Sequence, residues 1–486
     1  MKPGRESLRP VRKRVSAPSS SGDELRNLDP VIARLYAARG VRREAELDYS
    51  LARLLPVSSL PGIDAAVDLL LGFRDKRIVV IGDFDADGAT STALMLRCLA
   101  RFGFADVSYL VPNRFDFGYG LTPGIVRVAK ERAPDLLVTV DSGIACLAGV
   151  DEARRLGIEV LITDHHLPGR SLPGASVIVN PNLPGSQFGS PNLAGVGVAF
   201  YVMAALGRRL ESEGQAGAAK IAAGYLDLVA LGTVADVVSL DHNNRILVSQ
   251  GLQRIRAGRC IAGIAALLAQ AGRVQSRTIS TDLGFAVGPR LNAAGRLEDM
   301  SIGIECLLTD DAGTAQRLAA VLDGINRDRQ SIEANMREEA FAYVDAMRES
   351  SLPDCVCVFD PGWHEGVVGL VATRVRERCH RPAIAFARSE SGQLKGSARS
   401  VPGVHIRDLL ESVDSAYPEL MGRFGGHAMA AGLTLAEENF KAFSLAAAQQ
   451  LGRLYPEADF SGAIISDGCL PPASINLGFA KALRDA

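Results

Sequence analysis

No two of the eight cysteines form a CxxC pair. Cys98, Cys146, Cys260, Cys306, Cys355, Cys357, Cys379 and Cys469 are scattered along 486 residues. The pattern excludes a disulfide framework of the secreted kind and leaves the thiols as small apolar side chains in a reducing compartment. Even Cys355 and Cys357, which would share one face of a strand, read as two packed thiols. Aromatic residues are few, 6%, in a chain that is 47% hydrophobic and 22% charged. Such a chain is globular and too long for one ordinary core, so two or three domains are expected. No charge-free apolar run reaches membrane-spanning length. The opening MKPGRESLRPVRKRVSAPSSSGD is basic and rich in Ser and Pro, without the apolar run of a leader or anchor. It is expected to be the disordered tail of a cytoplasmic protein. An excess of charge of one sign is missing too: a net charge of −2 neither supports nor excludes a nucleic-acid partner, because such binding needs only a local basic groove.

What is present is a regular alternation between about Arg77 and Asn182. RIVVIGD, VSYLVP, DLLVTVD, EVLITD and SVIVN are short and rich in Val and Ile, and segments of helical apolar spacing separate them. Strands that are apolar on every residue are buried on both faces, which predicts a doubly wound parallel α/β sheet. From Leu193 to Leu308 the pattern is mainly helical. DAGTAQRLAAVLDGINRDRQSIEANMREEAFAYVDAMRES then reads as one long charged helix linking domains. After Pro353 a smaller α/β region follows, with strands at CVCVFD and PAIAFA, a helix at GVVGLVATRVRER and the Gly-rich LKGSARSVPG.

Carboxylates and imidazoles gather where the first set of strands ends. Asp83, Asp85 and Asp87 follow the first strand, Asp141 the third, and Asp164, His165 and His166 the fourth; Asp236 lies in LGTVADV. Strand carboxyl ends form the ligand crevice of such sheets. Each piece alone is ordinary: DADG an exposed turn, VDSG a loop, HH a solvated pair. Together they form an oxygen- and imidazole-rich donor set without thiolate, which suits Mn²⁺ or Mg²⁺, and clustered buried carboxylates would be too costly without cations.

The series DFDADG, VDSG, TDHH, GTVAD and PRLNAAGR resembles that of the DHH phosphoesterases. HEGVVG, GSARS and FGGHAMAAG resemble their associated second domain, and the set as a whole is closest to the RecJ-like branch. The resemblance runs from about Arg77 to Leu435. It implies a two-metal exonuclease that hydrolyses single-stranded DNA 5′ to 3′ in DNA repair and recombination. By that resemblance Asp83, Asp85, Asp87, Asp141, His165 and Asp236 are metal ligands, Asp141 is the bridge, Asp164 orients His165, and His166 faces the phosphate. Many members carry a histidine four residues before the first Asp of the DxD pair; Ile81 stands there, and Asp83 is expected to replace it.

Arg290, Asn292 and Arg296 of PRLNAAGR offer donors suited to adjacent phosphates, although a hydrogen-bonding role at a helix start is equally open for Asn292. Ser397, Arg399, Gly425, Gly426 and His427 are expected to bind substrate from the second domain, and Tyr119 to stack on a base. Arg114, Ser397 and Arg399 would hold a 5′ phosphate, provided the domains face one another. His364 fits a helix cap as well as a site residue, Trp363 is expected to pack, and His242, His380 and His405 are structural. The expected division is residues 1–50, tail and lead-in helix; 51–310, catalytic domain; 311–350, connecting helix; 351–455, associated domain; 456–486, a linker or the start of a truncated OB fold. The implied partners are single-stranded DNA and a single-strand-binding protein or helicase, the chain working as a monomer. A DHH oligoribonuclease or pyrophosphatase is the nearest alternative, although such chains are shorter and lack the long helix. A non-catalytic replication scaffold is disfavoured, since Ile81 is the only visible loss.

Overall fold

The computed structural model describes residues 9–14, 25, 27–112, 120–350, 352–389 and 392–485. Residues 45–327 form one compact unit, and the described residues before 45 form a second with those from 328 on.

The first unit is built on five parallel strands: β1 (Arg77–Ile81), β2 (Asp106–Leu110), β3 (Leu136–Val140), β4 (Glu159–Thr163) and β5 (Val177–Val179), in the order β2-β1-β3-β4-β5. Register follows from the sequence. Ile78 and Val80 enter one apolar cluster while Val79 and Ile81 enter another, so β1 is covered on both faces, and every residue of β3 is buried. Helix α1 (Ala86–Phe102) follows β1. Asp85 caps it by accepting from the Gly88 N–H, and it stops at Gly103 in the left-handed region (φ 80°). Helices α2 (Gly195–Ser212) and α3 (Leu226–Ala235) pack on α1, and α4 (Gly288–Leu297) carries PRLNAAGR. Order reverses between β1 and β3, the switch point at which open α/β sheets bind ligands.

Helix α5 (Ala312–Ser350) runs from the first unit into the second. Ala315, Ala319 and Leu322, then Met336, Ala340 and Val344, are buried at helical spacing, so two separate apolar stripes explain why a 39-residue charged helix is stable.

The second unit holds β6 (Val356–Phe359), β7 (Ala383–Arg388), β8 (Leu394–Arg399), β9 (Phe424–Gly426) and β10 (Ala430–Leu435), ordered β9-β10-β8-β7-β6. β6 and β7 are parallel and the remaining pairs antiparallel. Helix α6 (Val368–Cys379) joins β6 to β7, and Phe386 and Phe443 meet edge to face, 5.7 Å apart, in the core. This is the smaller α/β domain the sequence predicts, reached through the long helix.

The N-terminal stretch differs from expectation. Val11–Lys13 pair in parallel with Ile464–Ser466, because Arg12 and Arg14 find Asp459 and Asp467 beside that strand. Residues 1–8 and 15–24 lie outside the described residues.

Candidate metal centre

Asp83 follows β1, and the turn into α1 supplies Asp85 and Asp87; Asp141 follows β3, Asp164, His165 and His166 follow β4, and α3 is capped by Asp236. Three glycines let the backbones close around these side chains. A Cβ at Gly195 would lie 2.6 Å from an Asp141 oxygen, one at Gly232 2.7 Å from Asp87 Oδ1, and one at Gly295 inside van der Waals contact with the Phe84 carbonyl. Asp141 sits at φ 56°, a left-handed conformation that costs a non-glycine residue roughly 1–2 kcal/mol.

Three overlapping donor groups result. Asp83, Asp85 and Asp141 bring ligand atoms within 4.8 Å of one another, and so do Asp87, His165 and Asp236, and Asp141, His165 and His166. The groups touch where His165 Nε2 lies 3.1 Å from Asp141 Oδ1 and 3.5 Å from Asp236 Oδ2. Asp87 is locked by α2, whose Gly195 and Val196 N–H groups donate to its two oxygens at 2.7 and 2.9 Å. Ile81 is fully buried in the apolar cluster against the sheet, while Asp83, two residues on, stands in the first donor group.

So many carboxylates in so little water repel one another. Burial, then the charge of Asp85, raises Asp83 well above the usual carboxylate range. Burial and the neighbouring Asp236 and Asp85 do the same to Asp87. Asp141 is raised by burial, Asp87 and Asp85, and Asp236 is pushed up to about 7 by burial and Asp85. Such a set is short of positive charge, and hard divalent cations with oxygen and imidazole ligands fit it.

The expected role of Asp164 needs correction. Its Oδ1 accepts from the backbone N–H groups of His165 and His166 and lies 2.8 Å from His166 Nδ1, so the ring it orients is that of His166, not His165. The tight turn formed by these bonds folds the second imidazole back onto the carboxylate and leaves the first facing Asp141. Burial disfavours the His166 cation, but the hydrogen bond to Asp164 and its charge outweigh it and raise the imidazole to about 9. The same partnership holds Asp164 below its ordinary range despite burial.

Two asparagines that sequence reasoning missed secure this turn. Asn182 Nδ2 donates to the carbonyls of His165 (2.6 Å) and Pro191 (3.0 Å), and Asn180 Nδ2 to that of His166 (3.0 Å). Asn180 closes SVIVN and Asn182 stands two residues on, so an Asn-Pro-Asn directly after a strand was the available signal.

PRLNAAGR acts partly inward. Asn292 Oδ1 accepts from the Ala86 N–H at 2.7 Å and holds the start of α1. The Arg290 guanidinium, expected on phosphate, is bound to Asp323 of α5 at 2.7 and 2.9 Å and to the Ala286 carbonyl. Arg296 is half-buried on α4. Arg114 and Tyr119 lie outside the described residues.

In the second unit Ser397 and Arg399 share one face of β8, opposite Gly432 and Ala430 of β10, with Gly425 of β9 paired beyond Gly432. Arg399 donates to the Ser397 hydroxyl and the Ala398 carbonyl, both at 2.9 Å, and among the described residues no carboxylate pairs with it. Burial and then Arg376 lower its pKa. Gly426 has φ 143°, and the His427 N–H bonds the Ala430 carbonyl in the turn joining β9 to β10. His364 Nδ1 accepts from the Gly366 N–H ahead of α6, and Trp363 is buried with its indole N–H on Glu339.

Residues 77–233 match the DHH family, N-terminal domain, and 353–453 the DHHA1 domain. The chain is 52% identical over 472 residues to the single-stranded-DNA-specific exonuclease RecJ of Salmonella typhimurium, covering 95% of this chain and 81% of that one. It is also 52% identical to the Escherichia coli protein of the same name, over 94% of this chain and 81% of that one. The structure of RecJ from Thermus thermophilus in complex with Mn²⁺ superposes with a TM-score of 0.82 at 33% identity, covering 98% of this chain and 67% of that one. With both DHH domains matched and half of all residues shared along nearly its whole length, the chain belongs to the RecJ branch of the DHH family.

Proposed function

We propose that this chain is a divalent-metal-dependent exonuclease that hydrolyses single-stranded DNA from its 5′ end, in DNA repair and recombination. The observation that carries the reading is the pair of donor groups joined through Asp141 and His165 at 3.1 Å. The names of the relatives supply the substrate class. Bound Mn²⁺ or Mg²⁺ would provide Lewis-acid charge and acidify water at neutral pH. Asp83, Asp85 and Asp141 would hold one ion and Asp87, His165 and Asp236 the other, with the Asp141 carboxylate serving both. His166, its Nδ1 engaged by Asp164, would face the phosphate and offset charge there. Arg399 and Ser397 suit a terminal phosphate, which carries one more charge than an internal one. Arg296, Gly425, Gly426 and His427 are assigned to phosphate binding, and Arg114 and Tyr119 keep their assignments to the 5′ phosphate and to a base. We divide the chain at the boundaries given above, and place it in the cytoplasm as a monomer that meets single-strand-binding protein or helicase on the strand.

The test compares Mn²⁺-dependent nucleotide release from linear single-stranded DNA, circular single-stranded DNA, RNA oligomers and pyrophosphate. Release from the linear DNA alone is expected. Rapid cutting of the circle, or preference for RNA or pyrophosphate, would contradict the proposal.

A further inference from the structure

One exposed aromatic stands beside the metal centre with no packing role. Phe285 is 82% exposed, and among the described residues it is the one exposed phenylalanine. It lies in a single π-helical turn, Leu283–Val287, directly before Gly288 begins α4. The wider turn buries Leu283, Ala286 and Val287 and leaves Phe285 in water; such turns are frequent at functional sites. The turn is pressed onto the end of α3: a Cβ at Gly284 would lie 3.1 Å from Val234 Cγ1, and one at Gly288 3.2 Å from Ala235 Cβ. Val234 and Ala235 immediately precede Asp236, which reaches His165 in the centre.

The residue after Asp236 shows the same anomaly. Val237 is 84% exposed and sits at φ 63°, a conformation poorly tolerated by a β-branched side chain. Two large apolar side chains are thus held in solvent on unusual backbone, one following a candidate ligand and one on the turn packed against the same helix end. Neither gains from burial where it stands, so their contribution lies in a bound partner.

We infer that Phe285 is a stacking platform for an unpaired nucleobase next to the scissile phosphate, with Val237 offering a second apolar surface to the strand. Every base presents a π-face, so one aromatic ring grips a strand without reading its sequence. In a duplex the faces are already covered by neighbouring bases, and the platform therefore favours single strands over double. The inference rests on the proposed single-stranded DNA substrate and adds the residue that selects for its unstacked form.

The test measures binding of 5′-phosphorylated oligonucleotides by anisotropy in chelator, so that nothing is cut, using strands with one abasic nucleotide placed at successive positions from the 5′ end. Phe285→Ala is expected to weaken binding of the intact strand about 5- to 150-fold, the range of one base–aromatic stack. One abasic position should weaken the wild type by the same factor and leave the variant unaffected, Phe285→Trp should bind as the wild type, and Val237→Ser should show a smaller loss. Equal Mn²⁺ stoichiometry by calorimetry would show the centre intact in each variant. Wild-type binding with no loss in Phe285→Ala, or with additive losses at every abasic position, overturns the platform. So does a change of oligomeric state in Phe285→Ala without a change in DNA binding, which would assign Phe285 to contact between copies. A wild type that binds no single-stranded DNA would instead overturn the proposed function.

Discussion

The crevice at the ends of β1, β3 and β4 and the face of β8 that carries Arg399 are opposites in charge. The first crowds Asp83, Asp87, Asp141 and Asp236 together until burial and mutual repulsion raise all four. The second buries one guanidinium whose partners are a hydroxyl and a carbonyl, with burial and Arg376 lowering its pKa. One region is short of positive charge and the other of negative. Buried charge without a countercharge is expensive, and on the proposed reading each region receives the opposite species, cations in one and an anionic phosphate in the other.

The comparison breaks most sharply at Asp141. Asp141→Ala should lower nucleotide release by about three orders of magnitude or more, since it removes a carboxylate of the first donor group that also lies 3.1 Å from His165 of the second, while circular dichroism stays that of the wild type. Residual cleavage at normal Mn²⁺ stoichiometry would refute the shared role. Next in size is Arg399→Ala, expected to slow degradation of 5′-phosphorylated strands about 10- to 100-fold while affecting 5′-hydroxyl strands far less. Equal slowing of both would remove the terminal phosphate from that site.

A similar but smaller loss, about 10-fold in turnover with weaker Mn²⁺ binding, is expected for Asn182→Ala, because the Asp164–His166 turn loses its hold from behind. Unchanged Mn²⁺ affinity would show that the turn is rigid without it. The smallest effect concerns stability. A carboxyl whose folded pKa is raised binds protons more tightly folded than unfolded, so the metal-free protein loses stability as pH rises from the ordinary carboxylate range through the folded pKa, about 7 for Asp236. In chelator the melting temperature should be a few degrees lower at pH 8 than at pH 5.5, and Mn²⁺ should close the gap. A higher melting temperature at pH 8 in chelator would mean the carboxylates are already compensated by the protein.

The sheet was legible because a parallel strand buried on both faces leaves a continuous run such as LLVTV, and the donor set was legible because strand ends are where ligands gather. The contacts that the sequence did not disclose span long separations or depend on one turn. Arg290 and Asp323 are far apart along the chain, and nothing local marks them as partners. Which imidazole Asp164 would hold depended on how tightly the chain turns after β4, a matter of two backbone N–H bonds. Val11–Lys13 became a strand only because the carboxylates that receive Arg12 and Arg14 come from the other end of the sequence. The π turn at Leu283–Val287 has no periodicity of its own, so Phe285 reads in the sequence as one more apolar residue of a helix.

The central claim, two cations sharing the Asp141 carboxylate, is tested most directly by electron paramagnetic resonance of the Mn²⁺-loaded protein beside Asp141→Asn. Two ions about 3.5–4 Å apart would be exchange-coupled. The account predicts a coupled signal at two Mn²⁺ per chain in the wild type and its loss in the variant. Only isolated Mn²⁺ in the wild type, or the same coupling in both proteins, would contradict it.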